Sequence, residues 1–152
     1  MAAFYAALRG NENDHLALKS ALDNIYSIDY KHHPEEEAKA LADFYAVMAK
    51  ASQNMVLVQV MQAMRLMLID NIKQNLDMLR KGLSPENNVE ATIAQHRAEI
   101  IAAIVAKNPQ VARDASHKHL SFVEKINIDA EIFGYLICCK NNFDYHETYH
   151  CM

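Results

Sequence analysis

Apolar residues recur every three or four positions along much of this chain, the spacing that lines one face of an α-helix. The plainest case is Gln95 to Lys125, which reads as two helices folded back on each other at Asn108-Pro109. Asn108 suits an N-cap and Pro109 the first helical position, so one helix should stop and another start there. Upstream the inward line is Ile93, His96, Ile100 and Ile104; downstream it is Ala112, Ala115, His119, Phe122 and Ile126. His96 lies twelve residues before Asn108 and His119 eleven after it. At about 1.5 Å of rise per residue, the two imidazoles reach similar depths of an antiparallel hairpin and are predicted to face one pocket. Hydrogen-bonded core histidines are the open alternative. His117, roughly 200° round the helix from His119, should point away.

The same spacing predicts further helices. Residues 1–9 read as the last turns of one, ended by Gly10. Asn11 to Asp14 supply capping residues for a second, running to about Tyr30 with Leu16, Leu18, Leu22, Ile25 and Ile28 as its apolar set. After Lys31-His32-His33, Pro34 and Glu35 to Glu37 make a favourable first turn for a third, whose inward line is Leu41, Tyr45, Met48 and Ser52. His32 and His33 fall in the preceding loop and read as solvated. Asn54 to Lys81 reads as one long helix of roughly 42 Å, ended by Gly82. Leu57, Met61, Met64, Leu68 and Asn71 form one stripe on it, and Met61, Arg65, Leu68 and Ile72 an overlapping one; the methionines read as pliable core filler. Arg65, leaning inward, is a candidate clamp for a small carboxylate, with a snorkelled or ion-paired surface side chain as the alternative. Asn71 would add a hydrogen bond.

Composition narrows the picture. A chain of 152 residues with 51% hydrophobic content fits one domain with a modest core, and three glycines and three prolines favour helices over a turn-rich β architecture. The formal charge of −4 gives no electrostatic case for a nucleic-acid surface. Three cysteines, with Cys138 and Cys139 adjacent, make no disulfide framework and read as buried or free thiols. No charged leader with an apolar core opens the chain, and runs such as Ile132 to Cys139 are too short to span a bilayer, so a reducing cytoplasm is expected.

Several separated blocks carry a family likeness: FYAALRG at Phe4 to Gly10, ASQN at Ala51 to Asn54, DNIKQN at Asp70 to Asn75, His96-Arg97, and ARDASHKHLSFVEKI at Ala112 to Ile126. In this order they resemble the FCD effector domain of FadR-type GntR transcription regulators, within that group most nearly the repressors of the pyruvate dehydrogenase complex. The likeness covers about residues 1–128 and leaves 129–152 as a C-terminal extension. It implies an all-α antiparallel bundle of about six helices, not an enzyme, that senses a small carboxylate such as pyruvate. The implied effector-binding set is Arg65, Tyr45, Asn71, His96 and His119. It also implies a homodimer, or a heterodimer with a full-length regulator. The first helix looks cut short against the family, which would expose apolar surface for a partner, and no winged helix-turn-helix precedes it, so no direct contact with DNA is expected. Metal-binding members carry an aspartate and a histidine on the third helix, joining two later histidines around a divalent ion such as zinc or nickel. Here those positions hold Leu41 and Tyr45, leaving His96 and His119 as the only candidate ligands of that set.

The tail adds a trap: His146-Glu147-Thr148-Tyr149-His150 matches the H-E-x-x-H of zinc peptidases. It ends two residues from the last position, so no downstream ligand can follow, and adventitious metal binding by His146, His150 and Cys151 is the better expectation. A further rival is an orphan helical module that dimerises without sensing anything.

Overall fold

The computed structural model describes residues 1–29, 31–82 and 88–141, with side chains up to position 128 apart from 79, 81 and 82. Among these residues the fold is all-helical, with seven helices: α1 (Ala2–Arg9), α2 (Glu12–Ser27), α3 (Pro34–Ala51), α4 (Met55–Ala63), α5 (Arg65–Gly82), α6 (Val89–Val105) and α7 (Pro109–Asn141).

The helix ends follow from local chemistry. Asn11 and Asp14 form a reciprocal capping box, each side chain accepting from the other's backbone N–H at 3.0 Å. Asn54 Oδ1 accepts from the Leu57 N–H at 3.2 Å and Asn108 Oδ1 from the Val111 N–H at 3.3 Å, starting α4 and α7. Gly10 is buried where α1 gives way to α2, and a β-carbon there would collide with the Ala6 carbonyl oxygen, so the tight approach admits only glycine. Gln53, at positive φ after α3, donates its side-chain amide to the Arg9 carbonyl at 2.8 Å and ties this corner to the end of α1.

Around the α6–α7 hairpin, α1 packs against α7, α3 and α6, α2 against α3 and α6, and α5 against α3 and α7. The core is closed by Leu18, Leu41, Phe44 and Ile104, each at most 2% exposed, and by Ala3, Ala6 and Ala7, whose small side chains let α1 approach closely. Three ion pairs stitch α5 antiparallel to α3: Arg65–Asp43, Lys73–Glu35 and Arg80–Glu37.

Two expectations change. The single long helix is two, α4 and α5, bent by 66° at Met64, which makes seven helices rather than six. Neither proline nor glycine marks the bend; past it, α5 lies along α3 and α7, while α4 packs mainly against α3 among the described residues. The second helix ends at Ser27, and Leu16, assigned to its apolar set, is exposed. α7 continues as a helix through residue 128, where the sequence likeness ends, to Asn141.

Among the described residues no single helix is long and apolar enough to cross a membrane. The side chains of Cys138 and Cys139, and the whole of the H-E-x-x-H segment with Cys151, lie outside the described residues.

Candidate functional site

The α6–α7 turn is what brings the two histidines together. With Lys107 at positive φ ending α6 and Asn108 capping α7, the helices run back along each other, and both imidazoles turn inward. His96 is 5% and His119 3% exposed, and their ring centroids lie 6.1 Å apart, edge to face. Phe122, one turn beyond His119 and on the same face, sets its ring 5.2 Å from His96. His117 is exposed, as its position on the helix requires.

α3 supplies the third wall. Tyr45 is half-buried, and its hydroxyl lies 3.4 Å from His119 Nε2. With the hydroxyl donating to Nε2, the imidazole proton sits on Nδ1. His119 Nδ1 and His96 Nδ1 are both buried without a hydrogen-bond partner among the described residues, as is Arg97 Nε. Burial, then the nearby charges of Arg97 and His96, lowers the His119 pKa to about 4, so the ring is neutral near pH 7. His96 Nδ1 and His119 Nδ1 thus stand unpartnered beside the apolar ring of Phe122.

The other expected members stand elsewhere. Arg65 is on the flank of the bundle, its guanidinium held by Asp43 of α3 and more than a third exposed. This is the ion-paired alternative. Asn71 is exposed, and its Oδ1 accepts from Asn75 Nδ2 at 3.1 Å, one turn along the same helix. Its assignment to an inward stripe assumed a straight helix, and the bend at Met64 breaks that register. The inward line of α7 already placed Phe122 on the face of His119, whereas the buried, unpartnered Nε of Arg97 carried no signal in the spacing.

The metal expected from the resemblance can be tested on the residues present. Leu41 is 2% exposed and apolar, and Tyr45 sets a phenol against the Nε2 that would otherwise be free to ligate. Among the described residues no three His, Cys, Asp or Glu side chains are grouped as a metal ion would need. Two imidazoles without a carboxylate or third histidine do not fit a divalent ion.

Compared with known families, residues 1–122 match the family model of the FCD domain.

Proposed function

The chain belongs to the FCD domain family, the effector-binding domains of GntR-family transcription regulators, and on that premise we propose that it senses a small carboxylate, pyruvate or a related 2-oxo or 2-hydroxy acid, between α6 and α7. The observation that carries this reading is the buried pair His96 and His119, 6.1 Å apart with both Nδ1 atoms unpartnered among the described residues. Buried polar nitrogens are normally hydrogen-bonded, and a carboxylate offers about four lone-pair sites to satisfy them. Tyr45, 3.4 Å from His119, orients that ring. The resemblance of the sequence blocks to repressors of the pyruvate dehydrogenase complex makes pyruvate the first acid to try. His119→Ala should weaken pyruvate binding by about tenfold or more in calorimetry while keeping the helical spectrum, in line with about 1.5 to 3 kcal/mol for a hydrogen bond to a charged group. Unchanged affinity would remove His119 from the site.

The sensing signal would pass through a dimer. Met55, Val56, Val60, Met64, Leu66 and Met67 are exposed around the α4–α5 bend, and no residue of α4 is buried. α4 carries no charged side chain, so two copies can meet there without like charges opposing. An acid that binds one arrangement of the dimer better than another would shift between them, and in a full regulator the DNA affinity with it. This cytoplasmic, non-enzymatic reading leaves 1–128 as the sensing unit and 129–152 as an appendage.

The exposed bend also supports a second reading, a helical module that pairs with an intact regulator without sensing. Mixing the two proteins distinguishes them: a non-sensing partner lowers operator binding equally with and without pyruvate, whereas a sensing one makes the effect depend on the acid.

A further inference from the structure

We infer that Arg97 holds the carboxylate of the effector, doing by a fixed side-chain charge what a metal ion would do, and that Arg65 takes no part. The inference rests on the carboxylate-sensing reading above and names the group that carries it.

The arginines among the described residues divide cleanly. Arg65 is engaged by Asp43, Arg80 by Glu37 and Glu90, and Arg113 by Asp114. Arg9 lies 4.5 Å over the ring of Tyr5. Arg97 has neither an ion pair nor a hydrogen bond among the described residues, and its Nε is buried. A guanidinium does not shed its proton in a protein, so a buried Nε–H needs an acceptor and favours a negatively charged, planar one.

Its place in the fold points to the histidine pair. Arg97 follows His96 on α6, at the turn where the Tyr26 hydroxyl of α2 donates to the Ala94 carbonyl at 3.0 Å. The guanidinium is within electrostatic reach of both neighbours. After burial, it is the next cause lowering the proton affinity of His119, and on Tyr26 it opposes the upward push of burial. His96 Nδ1, Arg97 Nε and His119 Nδ1 are therefore unpartnered nitrogens from adjoining turns of two packed helices. A short 2-oxo or 2-hydroxy monocarboxylate matches them: its carboxylate takes the two-pronged guanidinium, and its second oxygen takes an imidazole N–H. The ring of Phe122 beside His96 gives the small carbon end an apolar wall. Because the cation is a side chain, binding needs no divalent ion.

The test is calorimetry with pyruvate, L-lactate and glyoxylate on the full chain, in EDTA and again with added zinc, for wild type, Arg97→Ala, Arg97→Lys, Arg65→Ala and His119→Ala. The expected result is equal wild-type binding in EDTA and zinc. Arg97→Ala should weaken it by about 50-fold or more, Arg97→Lys by about 5- to 10-fold through loss of the fork, and Arg65→Ala by less than about twofold. If Arg97→Ala fails to fold, the lysine variant decides: wild-type affinity in Arg97→Lys overturns the assignment. Loss of binding in His119→Ala with none in the Arg97 variants overturns the role of Arg97 and leaves the sensing reading standing. Binding that disappears in EDTA and returns with zinc does the same. Absence of binding by all three acids to wild type under both conditions overturns the inference and the sensing reading together.

Discussion

Ile93, Ile100, Ile101 and Ile104 of the α6–α7 hairpin are buried, whereas Met55, Val56, Leu66 and Met67 of the α4–α5 bend are 67%, 73%, 75% and 68% exposed. Both stretches are apolar, and the difference lies in what surrounds them. α6 is wrapped by α1, α2 and α7, while among the described residues α4 packs mainly against α3, with a smaller contact to α5. An apolar stretch therefore does two different jobs in this domain. In the hairpin it builds a dry setting around unpartnered nitrogens, the proposed place of the anion, and at the bend it leaves an exposed apolar face, the proposed surface for another chain.

The comparison is sharpened most by truncating one residue on each side of it. Phe44→Ala, in the core beneath the hairpin, should cost about 3 to 5 kcal/mol in urea unfolding, from lost transfer energy plus the cavity left behind. Val56→Ala, on the exposed face, should stay within about 0.5 kcal/mol for the monomer. A large loss for Val56→Ala at a concentration where the protein is monomeric would break the distinction. Next in size is the double change Val56→Glu with Val60→Glu. It places like charges on both copies of a two-fold interface and should weaken dimerisation by about 100-fold or more, equivalent to about 3 kcal/mol. Sedimentation should then show the monomer mass with an unchanged helical spectrum; a persisting dimer would move the interface elsewhere.

How much of this could be read beforehand differs between the same two regions. In the hairpin, Asn108-Pro109 fixes the turn chemically, so counting residues away from it placed His96 and His119 at one depth, and they stand face to edge. The starts capped by Asn11 and Asn54, and the uncapped start with Pro34 in the first turn, were legible for the same reason: the signal is local. The bend at Met64 was not, because it carries no proline or glycine and accompanies the packing of α5 along α3. That one unseen bend accounts for the fate of Asn71, assigned inward by extending a straight stripe across it. For Arg65 the sequence left an anion clamp and an ion-paired side chain both open, and the ion pair is what forms. Periodicity gives the face a side chain leaves from, and its partner Asp43 sits on another helix, which spacing along one helix cannot reveal.

A pH series sharpens the dry half of the comparison. His119 has a folded pKa of about 4 against 6.5 unfolded, so as pH falls through this interval the unfolded chain takes up the proton first. The stability contributed by the neutral ring is fully present above about pH 6.5, declines toward pH 4 and has gone below it. At about 1.4 kcal/mol per unit, the interval from 6.5 to about 4 corresponds to a decline of about 3.5 kcal/mol. His119→Gln should flatten that part of the stability profile; an unaltered slope would show that the ring is not neutralised by its surroundings.

The smallest effect tests whether the bend is as loosely held as its lack of buried side chains implies. α4 is nine residues long, too short to persist on its own in water, so its cap matters more than that of a helix pinned by core contacts. Asn54→Ala removes the acceptor for the Leu57 N–H and should cost about 1 kcal/mol. If α4 opens independently of the bundle, the loss appears as about fivefold faster amide hydrogen exchange confined to residues 55–63 at a concentration where the protein is monomeric, with α6 protection unchanged. At high concentration, where a second copy covers the face, the same amides should regain protection. Acceleration spread evenly through α6 and α7 would instead mean that the bend and the hairpin unfold as one unit, and that the exposed helix is bound into the core by more than its contacts with α3 and α5.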